Sequence, residues 1–195
     1  HCDGARIFNA SVYLKTPVSR LTEKCDSVAF CLSKGLCCPL GSVVVGEKEF
    51  AERVRRMRKV LGGGMRQVGY VAATGIVALN TMIDRLEDDH RHAAMIAKAF
   101  EGCENGAIKV DLNRVKTNIV FVDTDPEVIT SDQMVNLLAD SSFSNDEDEI
   151  IIKVNTTYLK SRIRLVSHAN ISEEDVWLAM KKIKNVVEKI GGKDI

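Results

Sequence analysis

Lys34 is the one cation in a stretch that runs Val28-Ala29-Phe30-Cys31-Leu32-Ser33 before it and Gly35-Leu36-Cys37-Cys38-Pro39-Leu40-Gly41 after it. The apolar run reads as the end of a buried strand. Gly35, Pro39 and Gly41 then let the backbone turn and come close to a ligand. An amine in that setting is suited to covalent chemistry, because it can form a Schiff base with a carbonyl. A second group is Asp3, next to Gly4 in a strand-to-turn segment; a carboxylate there can keep a pyridine nitrogen protonated, so that the ring accepts electrons. A third is the segment from Lys59 to Arg66, in which Gly62-Gly63-Gly64 lies between two cations. Bare backbone and cations suit a phosphate, and arginine offers two parallel hydrogen bonds where lysine offers a point charge. Ser33 adds a hydroxyl beside the lysine. An aspartate, a lone lysine after a strand and a glycine-cation segment together are what pyridoxal phosphate chemistry requires.

Each feature also has an ordinary reading. Lys34 alone is a surface lysine at a strand-to-turn junction, and Asp3 alone is a turn residue before glycine. The triple glycine alone is a loop between helices and does not have the dinucleotide-binding spacing. Arg164 alone is an exposed strand arginine that pairs with an acid. His90 and His92, two apart, do not share a helix face and read as a solvated surface rather than a metal site. The acidic run 145–149 reads as a solvated loop. No metal is expected.

The elements that must position these groups follow from periodicity. Residues 25–32 and 42–46 read as strands and 47–59 as a helix. Residues 66–100 read as one long helix, or two with a break near 84–91. After Gly102 the texture changes: 108–112, 119–123, 149–154 and 162–166 read as strands, and 130–138 and 173–190 as helices. Ser172 with Asp175 three residues on predicts a helix start. The fold class is therefore α/β, with a small α+β region at the C-terminus. Residues 1–95 form one domain and 96–195 the second, with the change falling between about 88 and 105.

With 195 residues the chain has room for one large domain or two small ones. Its 27 Lys and Arg balance 27 Asp and Glu, so neither nucleic acid nor an acidic tail is indicated. The most apolar stretch, 70–83, is too short and too polar to span a membrane. Six cysteines occur, none in a Cys-x-x-Cys pair, which favours a reducing compartment, and the cytoplasm is expected. The chain opens on His1-Cys2-Asp3-Gly4, inside a strand-to-turn unit, so a longer protein is expected to extend N-terminally.

Four segments, "HCDGARIFNA", "SKGLCCPLGSVVVG", "RKVLGGGMRQVG" and "IRLVSHANIS", resemble in this order the low-specificity L-threonine aldolases, within the β-eliminating lyase and aldolase group of fold-type-I pyridoxal phosphate enzymes. The resemblance runs from residue 1 to about 190. It implies the C-terminal part of the cofactor-binding large domain followed by a small α+β domain, in a homo-oligomeric lyase of amino-acid metabolism that cleaves L-threonine or L-allo-threonine to glycine and acetaldehyde. By resemblance Lys34 is the Schiff-base lysine and Asp3 the pyridine-nitrogen partner. Arg6 and Arg164 bind the substrate carboxylate. Ser33, Lys59 and Arg66 lie near the cofactor phosphate, part of it reached from a neighbouring subunit. Cys37-Cys38 depart from the small residues more usual at those positions and place two thiols near the cofactor. The alternatives are a β-eliminating lyase acting on another amino acid, or a non-catalytic fragment or pseudoenzyme.

Overall fold

The computed structural model describes residues 1–143 and 150–192. The chain divides into two compact units, His1–Glu87 and Asp88–Ile195. In the first, strand β1 (Cys2–Asp3) pairs in parallel with β2 (Ser27–Cys31), with Asp3 opposite Ala29. The parallel crossover is made by helices α1 (Ile7–Leu14) and α2 (Val18–Leu21). Strand β3 (Ser42–Gly46) then runs antiparallel to β2 over its whole length, so the sheet order is β1-β2-β3. The apolar strand β2 is the central strand, paired on both sides, which accounts for its continuous apolar composition.

Helices α3 (Lys48–Val60), α4 (Gly69–Thr81) and α5 (Leu86–Lys98) follow. The helical region expected over 66–100 is thus two helices, interrupted at residues 82–85. There the Thr81 hydroxyl turns back to the Val77 carbonyl, and Leu86 N–H bonds to the Ile83 carbonyl. The core of this unit is small. Leu32, Leu36, Cys38 and Ala78 are buried, with Phe8, Phe30, Val43, Val71, Met82 and Ile83 packed against them. Phe8 and Phe30 meet edge to face at 5.3 Å.

The second unit carries strands β4 (Ile108–Val110), β5 (Ile119–Thr124), β6 (Asn155–Thr156) and β7 (Arg162–Val166) in an antiparallel sheet of order β4-β5-β7-β6. Inward Val120, Val122, Ile163 and Leu165 alternate with outward Phe121 and Arg164, the period-2 pattern of a sheet with one solvated face. Helices α6 (Ser131–Ala139) and α7 (Glu173–Gly191) complete a core that includes Phe100, Met134, Leu138, Val176, Ile183 and Ile190. Both helices start with reciprocal caps, Thr130 with Gln133 and Ser172 with Asp175. The Ser172 bonds also hold the Asp175 carboxyl below its ordinary value.

The strand expected over 149–154 is not formed in its described part, 150–154. Its backbone groups are used elsewhere: Ile152 N–H donates to the Leu138 carbonyl at 2.9 Å, and the Ile150 carbonyl accepts from Lys182. The strand expected at 108–112 ends at Val110, because the Asp111 carboxylate accepts from Asn113 N–H and starts a 3₁₀ turn. His92 is buried rather than solvated. The expected loop at 145–149 lies outside the described residues. Among those described, no helix is long and apolar enough to cross a membrane, and no group of three or more His, Cys, Asp or Glu side chains could hold a metal ion.

Candidate active site

Lys34 sits on the 32–41 connection between β2 and β3. On either side of it Leu32 and Leu36 are buried, and their burial anchors the loop at two points two residues away. The backbone closes on itself: Leu32 N–H bonds to the Gly41 carbonyl, Cys38 N–H to the Leu32 carbonyl, and Cys37 N–H to the Lys34 carbonyl at 2.8 Å. Cys37 adopts a left-handed conformation, with φ of 56°, which a side chain other than glycine adopts at a cost. The Lys34 side chain is exposed and makes no ion pair or hydrogen bond among the described residues. Ser33 is exposed beside it. A pinned main chain thus presents an uncommitted amine.

Asp3 ends β1, and Lys34 lies three residues beyond the end of β2. Because the two strands run parallel, both groups emerge at the same edge of the sheet, the carboxyl-terminal edge at which open α/β folds bind ligands. Gly4 N–H donates to the Ala29 carbonyl at 2.7 Å and fixes Asp3 against β2. A side chain at Gly4 would press within 3.2 Å of that same carbonyl. One Asp3 carboxylate oxygen, Oδ1, accepts from Ala5 N–H at 3.3 Å. The ordinary turn role of this residue is therefore present in the structure, and it leaves Oδ2 exposed and available. Arg6 follows as the N-terminal cap residue of α1 and is half-buried. A pyridoxal ring requires an available amine, an available carboxylate oxygen and bare backbone. Lys34, Asp3 and the glycines at positions 4 and 35 meet those requirements.

The remaining residues are not gathered at that edge by any bond among the described residues. Lys59 and Arg66 are exposed, at the last turn of α3 and in the turn ahead of α4. The Lys59 stem lies over Gly64, whose missing Cβ would fall 2.7 Å from Lys59 Cδ. Arg164 belongs to the second unit. It stands on the solvated face of β7 between Phe121 on β5 and Asn155 on β6, in an open depression of about 770 Å³ that Thr156, Thr157, Tyr158 and Val166 also line. The acid expected to pair with a strand arginine pairs with its neighbour instead. Arg162 makes a two-point contact with Asp123 at 2.5 and 3.0 Å, and these hydrogen bonds and the Asp123 charge raise the guanidinium pKa further; it also lies 5.6 Å from the Phe121 ring. Arg164 has no such partner among the described residues. The sequence reading missed Phe121 and Asn155 as the flanks of Arg164. Alternation along β5 and β7 carried that information, but only the register reveals it.

An α/β sheet with a crossover, a lysine turn at its carboxyl-terminal edge and a separate antiparallel unit define a recognisable class. The structure matches one assigned to an L-allo-threonine aldolase of Listeria monocytogenes, with a TM-score of 0.71 at 16% identity over 93% of this chain and 50% of that one. It also matches an ornithine aminotransferase of Toxoplasma gondii described with pyridoxal phosphate at partial occupancy, with a TM-score of 0.58 at 16% identity over 86% of this chain and 38% of that one. The fold is thus the fold-type-I α/β arrangement. The chain belongs to the beta-eliminating lyase family, which matches residues 1–127. Low-specificity L-threonine aldolase 1 of Arabidopsis thaliana is 40% identical over 177 residues, 90% of this chain and 46% of that protein. The chain spans about half the length of the curated relatives it matches.

Proposed function

We propose that the protein containing this chain is a pyridoxal phosphate-dependent lyase that cleaves L-threonine and L-allo-threonine to glycine and acetaldehyde. The observation that carries the reading is the free amine of Lys34 on a pinned turn, at the sheet edge it shares with Asp3. When bound, the cofactor supplies the electron sink that lets the Cα–Cβ bond of an amino acid break. Lys34 would provide the amine that holds the cofactor. The free oxygen of Asp3 holds a proton at the ring nitrogen. Arg6 and Arg164 bind and orient the substrate carboxylate, so that the bond to be broken is aligned for reaction. Ser33, Lys59 and Arg66 stand near the phosphate, part of it reached from a neighbouring subunit of a homo-oligomer. The group that takes the β-hydroxyl proton is outside this set.

In this reading residues 1–95 belong to the cofactor-binding large domain and 96–195 to the small C-terminal domain. The enzyme is cytoplasmic and works in threonine breakdown and glycine formation. Borohydride trapping of the bound cofactor in the full-length protein, followed by peptide mapping, should place the label on Lys34. Label on Lys15, Lys48 or Lys59 would sink the assignment. The family's own description favours one second reading, β-elimination on another amino acid. Product analysis with threonine beside cysteine separates the two.

A further inference from the structure

We propose that Asn9 is a positioning residue for Lys34, acting through the backbone at Gly35. The proposal rests on the reading of Lys34 given above. Asn9 lies on α1, three residues after Arg6, and is only 2% exposed. A buried amide is costly unless it is used. What it faces is the lysine turn: a Cβ at position 35 would lie 3.2 Å from Asn9 Oδ1 and 2.8 Å from Leu86 Cδ2. Leu86 is itself fully buried. The main chain next to Lys34 is therefore wedged between an amide and a leucine, with no room for a side chain at position 35. One residue further on, Leu36 is buried as well.

The consequence is a division of labour within one residue. Lys34 has a free side chain, yet its carbonyl accepts from the Cys37 N–H, and the next residue, Gly35, packs against Asn9 of α1 and Leu86. Helix α1 begins at Ile7, four residues after Asp3, so one short element follows the carboxylate end of β1 and also reaches the lysine turn through Asn9. Reacting groups must be held to within about 0.5 Å of their productive geometry. A displacement of about 1 Å can cost roughly 100-fold in rate.

The test uses the full-length enzyme loaded with pyridoxal phosphate. Asn9→Ala should retain the cofactor and lower kcat by roughly 100-fold, with little change in KM. The pH at which the visible band of the bound cofactor titrates should move from the parent's value, a readout that loss of stability alone would leave in place. Asn9→Asp keeps an oxygen at the same point and should recover part of kcat. A parental kcat and a parental band titration in Asn9→Ala would overturn the proposal. Should Asn9→Ala fail to fold, Gly35→Ala, which brings a methyl against the same amide from the other side, is read in its place: a displaced titration supports the proposal and a parental one overturns it. A parent enzyme without the band would overturn the Lys34 reading and this proposal with it. A normal parent beside an unaffected Asn9→Ala overturns this proposal alone.

Discussion

The two units of the chain bury very different things. The C-terminal unit packs Phe100, Met134, Leu138, Ile163, Val176 and Ile183 at no more than 1% exposure, between one sheet face and its helices. The N-terminal unit has four buried apolar residues in its cluster and leaves Val60, Leu61, Tyr70, Ile76 and Val77 each more than 60% exposed. Yet the N-terminal unit carries Lys34 and Asp3. The proposed chemistry therefore stands on the less self-sufficient part of the molecule, three of whose buried cluster residues, Leu32, Leu36 and Cys38, hold the lysine loop. Apolar surface on that scale is the kind that contact with further protein covers, in keeping with the oligomer proposed above.

The sharpest way to break this contrast is Lys34→Ala in the full-length protein. Turnover should fall by more than about a thousandfold, about 4 kcal/mol of transition-state stabilisation, while the melting temperature stays at the parent's because the side chain is exposed. A parallel loss of stability would show that the amine is structural. Next in size is Ile163→Ala in the C-terminal core, expected to cost about 2–5 kcal/mol in denaturant unfolding. Ile76→Ala on the exposed face of α4, measured on this chain alone, should change stability by no more than about 0.5 kcal/mol. Equal costs would mean that the N-terminal unit is packed as firmly as its neighbour.

Lys182 sharpens the account of the C-terminal unit. Its amine is buried and donates to the Asp140 carbonyl at 2.7 Å and to that of Ile150. Burial lowers its pKa from the ordinary 10.5, with a smaller opposing pull from Asp140. Lys182→Met leaves two acceptors without a donor and should destabilise by about 1–3 kcal/mol. The sign of the pH effect follows from proton binding. Between the lowered folded value and 10.5 the unfolded chain holds more proton, so the parent should gain stability relative to Lys182→Met as pH rises through that window. An unchanging difference across alkaline pH would show that the folded amine titrates normally. A further test of this unit is Ser172→Ala, which removes the α7 cap at a cost of about 1 kcal/mol. A melt indistinguishable from the parent's would show that the packing of α7 makes its cap redundant.

Much of the fold was legible because its signals were local. Alternation gave β5 and β7, and Ser172 with Asp175 announced α7. Helix α1 was missed because it is eight residues long with neither a side-chain cap nor an acidic residue in its first turn. The β-branched run at 150–154 suggested a strand, but an amine 32 residues away and the end of α6 use its backbone. The chemical types at Lys34 and Asp3 were readable. That they share a sheet edge was not, because it depends on a two-residue parallel pairing. Nor could spacing reveal that the acid expected for Arg164 would go to Arg162, since cross-strand register decides it.

Burial of Lys182 also has a consequence for the chain's reactivity toward acylating reagents. Such reagents need an accessible, unprotonated amine, and this one lies on the buried face of α7 with its hydrogens directed at two carbonyls. Lys34 offers the opposite case. In a mixed labelling experiment on this chain without cofactor, the exposed Lys34 would react directly, and Lys182 only as often as α7 lifts away. The ratio of the two yields would time the opening of the C-terminal unit from within the same molecule.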